Sequence, residues 1–343
     1  MKKLTQYLLA VVVIALVALM IVGRAGKSFT ADSGRRLVMG TYAHVIAAAD
    51  TADSAQAAIG AAFAQLRHID EIASDYDPNS ELSRANRAAF GSAVPLSDDL
   101  YAIIEKSLYF SRLTEGAFDV TVGPLTQLYR NADANNVPTA EQIAGARRRV
   151  GYEKLTLDPD SRSVRFQLEG MSLDLGGIAK GYAIDMAAAA AREGGATGVM
   201  IDVGGDIYCF GSPPDKENWT VGLQDPGKPA GLPGSEKIIA RLKLKDAAVA
   251  TSGDYQRFVL IDGNKVSHIF NTKTAAGAEG LSSTTIIAPD ATTADALATA
   301  ASVMEPEETL ELINSLPGTE AVLITAGPEY RVIRSENADD WLY

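Results

Sequence analysis

Apolar residues recur every three or four positions from Ile59 to Ile72, which is the repeat of one buried helix face. The turn-rich segment 75–80 follows and ends this first predicted helix. Ser97 is a favourable N-cap for a second helix, because its hydroxyl can accept a hydrogen bond from a backbone N–H group. The apolar stripe of the second helix runs from Leu100 to Leu108, and Gly116 ends it.

Other segments have the alternation and the turn boundaries of β-strands. Strands are predicted at 36–49, 154–157, 163–168 and 171–175, through most of 199–287, and in a closing hairpin of 321–325 and 330–333. Helices are predicted between the glycine pairs 176–177 and 194–195, from about Thr292 to Met304, and from Pro306 onward. This mixture predicts an α+β protein with antiparallel sheets and packed helices.

The N-terminal segment has the composition of a targeting signal. Two lysines precede an uncharged apolar run, Tyr7–Val22, and a polar stretch, Gly23–Gly34, follows. This arrangement is typical of a cleaved signal peptide or a single membrane anchor, and a buried core helix is a poor alternative at such a terminus. The basic start should stay in the cytoplasm. We therefore expect a leader over 1–34 and one domain over 35–343, anchored or secreted on the outer (periplasmic) side of the bacterial cytoplasmic membrane.

Charge and composition narrow the kinds of ligand. The formal net charge of −12 argues against nucleic acid, which requires a basic surface. One cysteine and three histidines argue against zinc sites built from cysteines or several histidines. A bound metal would therefore have oxygen ligands, which indicates magnesium, calcium or manganese.

The segment Leu173–Gly181 is the first candidate for chemistry. A predicted strand ends there, Gly176 and Gly177 remove side chains, and a helix begins. N–H groups at a helix start bind anions, Lys180 adds a charge for a phosphate, and glycine lets backbone carbonyls approach a cation. An ordinary strand-to-helix turn with a solvated lysine explains the same pattern equally well.

Asp295 and Thr299 lie four residues apart on the predicted helix after Thr293, so they share one face. A carboxylate and a hydroxyl among small alanines leave room for magnesium, which takes few protein ligands and adds water and phosphate oxygens. The simpler alternative is an Ala-rich helix whose dipole interacts with Asp295, and this alternative is favoured when the segment is taken alone.

Four other segments carry less information. Gly116–Pro124 is a glycine-bounded loop with one carboxylate, and Thr251–Tyr255 is a polar turn. His268 lies in an alternating strand, where a lone histidine is more often structural than catalytic. Gly222–Lys228 has the spacing of a phosphate-binding P-loop but lacks the following Ser or Thr, and we interpret it as a turn.

Taken in order, these segments resemble the FAD:protein FMN transferase family, the ApbE-like flavin transferases. The resemblance spans residues 39–300, and the shared order makes chance similarity a poor explanation. The pieces that carry it are Met39–Thr41, Asp77–Arg84, Gly116–Pro124, Asp174–Asp185, Val203–Ile207, Thr251–Tyr255, His268–Ile269 and Asp295–Thr299.

The resemblance implies an α+β fold that binds FAD in a groove, with Mg²⁺ beside the pyrophosphate. The residues that it assigns to the flavin nucleotide are Met39, Tyr76, Ala117, Phe118, Asp119, Asp174, Lys180 and Ile269. It assigns the side chains of Asp295 and Thr299 to magnesium, together with the backbone carbonyls of Gly177 and Ala298. His268 becomes the candidate proton acceptor.

One segment departs from the family pattern. The family usually follows its histidine with an Ile-Asp-Pro-x-Thr-Gly-like sequence. Here Asn271 replaces the aspartate, Thr272 replaces the proline, and the glycine comes later, at Gly277. We therefore expect a looser turn and altered flavin contacts near His268, whereas the assigned metal ligands are unaffected.

The implied reaction is magnesium-dependent transfer of FMN from FAD to a Thr or Ser hydroxyl of an exported or membrane respiratory flavoprotein, with release of AMP. Two alternatives fit the same residues. A magnesium-dependent FAD pyrophosphatase would use water in place of the acceptor hydroxyl. A non-catalytic exported protein would only bind flavin, for which the flat ring of Tyr76 is suited.

Overall fold

The computed structural model of the chain describes residues 28–343, except 131, 133–135, 227–237, 254–257, 262–263, 268 and 328. The apolar run Tyr7–Val22 and the candidate base His268 lie outside the described residues. Within the described part of the chain, no helix is both long and apolar enough to cross a membrane. The assignment of a leader and a single following domain stays a prediction.

Strands and helices alternate irregularly along the described chain. The strands are β1 (Phe29–Val38), β2 (Thr41–Ala49), β3 (Val94–Pro95), β4 (Leu155–Asp158), β5 (Ser163–Phe166), β6 (Ala196–Val203), β7 (Asp206–Phe210), β8 (Trp219–Gln224), β9 (Ile238–Leu244), β10 (Ala247–Gly253), β11 (Phe258–Ile261), β12 (Asn264–Ser267), β13 (Leu281–Ala288), β14 (Glu320–Thr325) and β15 (Val332–Arg334). The helices are α1 (Ala52–Ala73), α2 (Glu81–Ala88), α3 (Asp98–Leu113), α4 (Gly123–Arg130), α5 (Ala140–Arg147), α6 (Ala179–Glu193), α7 (Ala291–Ala301) and α8 (Pro306–Ser315).

An eight-stranded sheet forms the centre of the molecule, in the order β1-β2-β6-β7-β10-β13-β14-β15. All neighbouring strands in it are antiparallel. Three smaller sheets pair β3-β5-β4, β8-β9 and β11-β12. The predicted α+β class with antiparallel sheets is therefore confirmed.

The two faces of the central sheet are covered by different structures. Helices α1, α6 and α7 pack on one face, and their apolar residues, such as Ile59, Ala187 and Leu297, belong to the main core. On the other face, Trp219 and Leu242 of the β8-β9 hairpin pack in a second, smaller core. Because α6 and α7 lie side by side on the sheet, the turns that start them meet at one place.

The long helices follow the sequence pattern closely. Thr51 caps α1, and its hydroxyl oxygen accepts a hydrogen bond from the Ser54 N–H group. Ser97 caps α3, as predicted, by accepting from the Leu100 N–H group over 3.3 Å. These helices are long enough for the apolar repeat to stand out, and each has a polar cap that marks its start.

The predicted strand at 36–49 is wrong in extent, because the segment belongs to a hairpin that begins at Phe29. Met39 and Gly40 form its two-residue turn, with φ of 52° and 68°. Two successive positive φ values match the right-handed twist of the flanking strands. Methionine is not typical of the first position of such a turn, so the turn was not predicted from the sequence. The strand β1 starts within the segment predicted as leader and linker.

Three further differences concern short elements. Residues 171–175, predicted as a strand, contain no regular strand in the structure. The P-loop-like segment, predicted as a turn, is β-strand over Gly222–Gln224. Pro226 does lie in a turn, and 227–228 lie outside the described residues. The sequence pattern did not predict α2, α4 and α5, each of which has eight residues. Eight residues give scarcely two turns, too few for a helical repeat to be recognised.

Candidate functional site

Helices α6 and α7 touch where each begins, and a glycine makes the contact possible. A Cβ at Gly181 would lie 2.2 Å from the Ala291 carbonyl oxygen, so only glycine fits. One turn further along α6, the Asp185 carboxylate accepts hydrogen bonds from the N–H groups of Ala291 and Thr292, at 2.8 and 2.9 Å. It also accepts from the Thr292 hydroxyl at 2.5 Å. Asp185 thus fixes the N-terminus of α7 on α6.

This packing brings two residues of α7 against the turn before α6. Asp295 and Thr299 lie one turn apart on α7, where Asp295 is buried and Thr299 is half-buried. The Thr299 hydroxyl donates to the Gly177 carbonyl oxygen over a long distance of 3.4 Å. A Cβ at Gly177 would lie only 2.8 Å from Oγ1 of Thr299. The glycine therefore lets a backbone carbonyl and a side-chain hydroxyl face each other.

The Lys180 ammonium group lies between two carboxylates. It is hydrogen-bonded to Asp206 and, over 3.3 Å, to Asp295. The side chains of Asp206 and Asp295 are only 4% and 5% exposed. Asp295 also accepts from the Gly181 N–H group at 3.0 Å, and Asp206 accepts from the Thr251 N–H group at 3.3 Å. Two carboxylates and one ammonium leave this cluster with one formal negative charge.

Burial and charge have opposite effects on these groups. Burial lowers the pKa of Lys180, but the charges of Asp206 and Asp295 outweigh it and raise the pKa above its ordinary value. Lys180 therefore stays protonated. Burial raises the pKa of Asp206 to about 6, against the lowering effect of Lys180. The Lys180 ammonium group is thus already paired with two carboxylates, and the assignment of Lys180 to the nucleotide stays a prediction.

The oxygen atoms gathered here fit a hard divalent cation. A carboxylate, a hydroxyl and a backbone carbonyl, from Asp295, Thr299 and Gly177, are the ligand types that magnesium prefers. The excess negative charge of the cluster would favour a cation and oppose an unaccompanied phosphate. The Ala298 carbonyl accepts hydrogen bonds from both the N–H group and the hydroxyl of Ser302. Its assignment as a metal ligand stays a prediction.

The loop after α3 is held by its own carboxylate. Asp119 accepts from the N–H group and the hydroxyl of Thr121 at 2.8 and 2.6 Å, and from the Tyr152 N–H group at 3.0 Å. Burial raises its pKa, although these hydrogen bonds act in the opposite direction. Phe118 is buried and contacts Phe110 edge to face. These two residues shape the loop from inside, and the half-buried Ala117 lies at its rim.

A second polar cluster lies at the turn after α1. The Tyr76 side chain is exposed, and the Arg130 guanidinium covers its ring at 4.0 Å from the centroid. Arg130 forms ion pairs with Asp75 at 2.7 Å and with Asp174 at 3.9 Å. Burial and the neighbouring Asp174 charge raise the pKa of Asp75, and Arg130 opposes this shift. Two predicted flavin residues, Tyr76 and Asp174, thereby contact the same arginine, which was not predicted from the sequence.

Asp174 also connects this cluster to the start of α6. Its N–H group donates to the Val120 carbonyl at 2.9 Å, in the loop that contains Asp119. Its carboxylate accepts from the Gly176 N–H group at 2.8 Å, next to Gly177. The turn before α6, which contains Gly177, is thus connected through Asp174 to both groups of predicted flavin residues.

The remaining predicted flavin residues lie at two other turns. The Met39 N–H group donates to Asp70 at 2.8 Å, which ties the β1-β2 turn to α1. Ile269 is half-buried, and its carbonyl accepts from the Ala278 N–H group at 2.8 Å. The neighbouring His268 lies outside the described residues, so its role as a proton acceptor stays a prediction.

The departure from the family pattern at Asn271 has a local explanation. The side-chain oxygen of Asn271 accepts from the N–H groups of Lys273 and Thr274, at 2.9 and 3.1 Å. Its amide group donates to the Val303 carbonyl at 3.3 Å, which a carboxylate could not do. Thr272 donates its hydroxyl to the Gly116 carbonyl at 2.7 Å. The turn predicted to be loose is therefore hydrogen-bonded on both sides.

Known proteins resemble most of this chain in sequence. The profile of the ApbE family matches residues 39–323, most of the chain. The chain belongs to the ApbE family. The FAD:protein FMN transferase of Haemophilus influenzae is 30% identical over 254 residues, which are 72% of each chain. That of Treponema pallidum is 29% identical over 324 residues, 90% of this chain and 88% of the relative.

Solved structures of the family have the same fold. The ApbE protein of Thermotoga maritima superposes with a TM-score of 0.79 at 32% identity, over 92% of this chain and 99% of that one. The flavin transferase ApbE of Vibrio cholerae gives a TM-score of 0.80 at 25% identity and the same coverage. The predictions of the family and of an enzyme belonging to it are confirmed, together with the fold class.

Proposed function

We propose that this protein transfers FMN from FAD to a Thr or Ser hydroxyl of an acceptor protein and releases AMP. The curated relatives named above are FAD:protein FMN transferases, which supports flavin transfer to a protein. The observation that carries the finer proposal is the oxygen-rich cluster of Asp295, Thr299 and Gly177. Its excess negative charge makes a divalent cation a requirement for holding the pyrophosphate of FAD there.

Magnesium is the cation that we propose for this cluster. Asp295 and Thr299 would hold it through side-chain oxygens, and Gly177 through its carbonyl. When bound, magnesium supplies positive charge beside the pyrophosphate, where negative charge develops as AMP leaves. The N–H group of Gly181 orients the Asp295 carboxylate. Asp206 draws Lys180 toward itself, which limits the competition of the ammonium with the metal for Asp295.

The flavin half of FAD would lie among the predicted residues of the surrounding turns. We propose that Tyr76 offers its exposed ring to the flavin, and that Met39 and Ile269 line the pocket. The rim of the loop at Ala117 would contact the same nucleotide. Asp174 joins these contacts to the turn before α6, so the flavin and the pyrophosphate would be held by one connected structure.

The nucleophile comes from the acceptor in this proposal. The only thiol of the chain, Cys209, is buried in an apolar cluster, and burial raises its pKa. The acceptor hydroxyl would attack the FMN phosphorus, forming a phosphoester as the bond from that phosphorus to the bridging oxygen breaks. AMP leaves with that oxygen. The hydroxyl proton passes to a base, and His268 is the candidate for this role.

We further propose that the catalytic part works on the outer side of the cytoplasmic membrane, where an exported or membrane-bound respiratory flavoprotein would be the acceptor. The basic start and the apolar run Tyr7–Val22 support this orientation. Alkaline phosphatase fused after Tyr343 should then be active in cells. An inactive fusion, with a cytoplasmic reporter active at the same position, would overturn the proposed location.

Co-expression with a candidate acceptor domain tests the function. The intact mass of the acceptor should rise by that of FMN minus one water, and replacement of the modified Thr or Ser by Ala should abolish the increase. A parallel co-expression with an Asp295→Ala variant is the control for other transferases in the host. An acceptor that gains the same mass with the variant would contradict the proposal.

A further inference from the structure

Tyr76 is an aromatic residue in an exposed position, with one of its two ring faces already covered. Its side chain is 70% exposed on the turn after α1, and the Arg130 guanidinium lies 4.0 Å from the ring centroid. A guanidinium over a tyrosine face is attracted by the negative charge of the ring face. The covered face leaves only the opposite face for a planar ligand.

The arginine itself is fixed from two directions. Arg130 ends α4 and forms ion pairs with Asp75, adjacent to Tyr76 in sequence, and with Asp174 before α6. The side chains of these aspartates are only 10% and 13% exposed. An arginine with two mostly buried carboxylate partners is more restricted than an ordinary surface arginine, whose long side chain samples many rotamers.

From this arrangement we infer that Arg130 is a positioning residue for flavin binding: it fixes the Tyr76 ring so that its free face can stack on the isoalloxazine. This inference rests on the proposed function, in which Tyr76 contacts the flavin. The contacts made by Arg130 order the tyrosine before the ligand arrives, so less conformational entropy is lost on binding. Arg130 itself lies behind the ring and does not touch the flavin.

A purely structural tie between α4 and the turn at 75–76 would make different predictions. Such a contact would affect folding stability, and its loss would weaken the binding of all nucleotides to the same extent. A positioning role acts through the ring of Tyr76. The effect of replacing Arg130 on affinity should therefore disappear when that ring is absent. It should be seen only with ligands that contain a flavin.

The test measures FAD affinity by fluorescence titration without an acceptor, in four proteins: wild type, Arg130→Met, Tyr76→Leu and the double variant. Arg130→Met keeps an unbranched apolar side chain but removes the cation, and we expect it to weaken FAD binding about five- to tenfold. In the Tyr76→Leu background, the same change should have less than about a twofold effect, because no ring remains to be positioned.

Three controls separate the effect of the ring from general effects of charge. ADP has a pyrophosphate but no flavin, so its affinity should be unchanged in Arg130→Met, even though two carboxylates lose their partner. Arg130→Lys keeps the charge and should recover part of the FAD affinity. Arg162→Lys, which alters an exposed arginine paired with Asp98, should bind FAD as the wild type does.

The outcomes distinguish this inference from the proposed function. Equal weakening by Arg130→Met with and without the Tyr76 ring would overturn the inference, as would equal weakening of FAD and ADP. If Arg130→Met does not fold, unchanged FAD affinity in Arg130→Lys, with its ammonium in place of the planar guanidinium, overturns it. A wild-type protein that binds no FAD would overturn the proposed function and this inference with it.

Discussion

Gly177 and Thr299 approach each other so closely that a Cβ at position 177 would lie 2.8 Å from the threonine hydroxyl oxygen. The two residues come from the turn before α6 and from the last turns of α7. Their contact places a bare backbone carbonyl opposite a hydroxyl, one helical turn from the Asp295 carboxylate. The metal site that we propose depends on this approach.

Gly177→Ala should therefore weaken metal binding without unfolding the protein. The added methyl group would lie 2.8 Å from Oγ1 and 2.9 Å from Cγ2 of Thr299, so the threonine side chain would have to move away from the turn. We expect the magnesium concentration for half-maximal activity to rise at least about tenfold. Manganese titration followed by electron paramagnetic resonance would measure the affinity directly.

Gly60→Ala is the matched control for this change. Gly60 lies in α1, and a Cβ there would have no atom within 4 Å, so metal affinity should stay at the wild-type value. If Gly177→Ala also kept the wild-type metal affinity, the Gly177 carbonyl and the Thr299 hydroxyl would not bind the same metal ion.

Asp295 and Asp206 should differ in their importance for metal binding, although both contact Lys180. Asp295→Asn replaces a proposed carboxylate ligand with a neutral amide and should weaken metal binding and activity by more than about a hundredfold. Asp206→Asn changes a residue that contacts Lys180 rather than the proposed metal, and it should weaken metal binding about 10- to 100-fold. In the latter variant, Lys180 would keep only Asp295 as a charged partner and compete with the metal. Calorimetric titration with magnesium would rank the two variants, and the reverse order would contradict the assignment.

The sequence predicted the elements whose signals are local. The apolar repeat of α1, the Ser97 cap of α3 and the i,i+4 pair on α7 are all readable over a few neighbouring residues. The Met39–Gly40 turn was not predicted. Its two residues have positive φ values, but they are not the Asn-Gly or Gly-Gly pair that is typical of such a turn.

The partners of the site residues could not be predicted, because they are distant in sequence. Lys180 lies 26 residues from Asp206 and 115 from Asp295, and only the packing of α6 and α7 on the sheet brings these charges together. Arg130 lies 55 residues from Asp75 and ends a helix too short to be recognised. Asp206 did lie in a matching family segment, but nothing in its neighbours indicated an ion pair.

Asp185 should make the stability of the fold depend on pH. Burial raises its pKa to about 6, against the hydrogen bonds from the N-terminus of α7. A carboxyl with a folded pKa above its unfolded value binds protons more strongly in the folded state. Its contribution to stability is therefore fully present below about pH 4 and is lost as the pH rises through about 6.

Urea unfolding of the wild type and of Asp185→Asn at several pH values measures this effect. The free energy of unfolding of the wild type minus that of the variant should fall between pH 4 and pH 7.5. A difference that stays constant, or that rises with pH, would mean that the Asp185 pKa is not raised in the folded protein.

Transfer to a protein acceptor is the central claim, and the ratio of products tests it most directly. Purified protein would be incubated with FAD, magnesium and a soluble acceptor domain, with AMP followed by chromatography and acceptor mass by spectrometry. We predict one AMP released for each FMN attached, and little AMP when the acceptor is omitted. The account would be contradicted if AMP and free FMN accumulated at the same rate with or without acceptor and no acceptor gained mass, since water would then be the nucleophile.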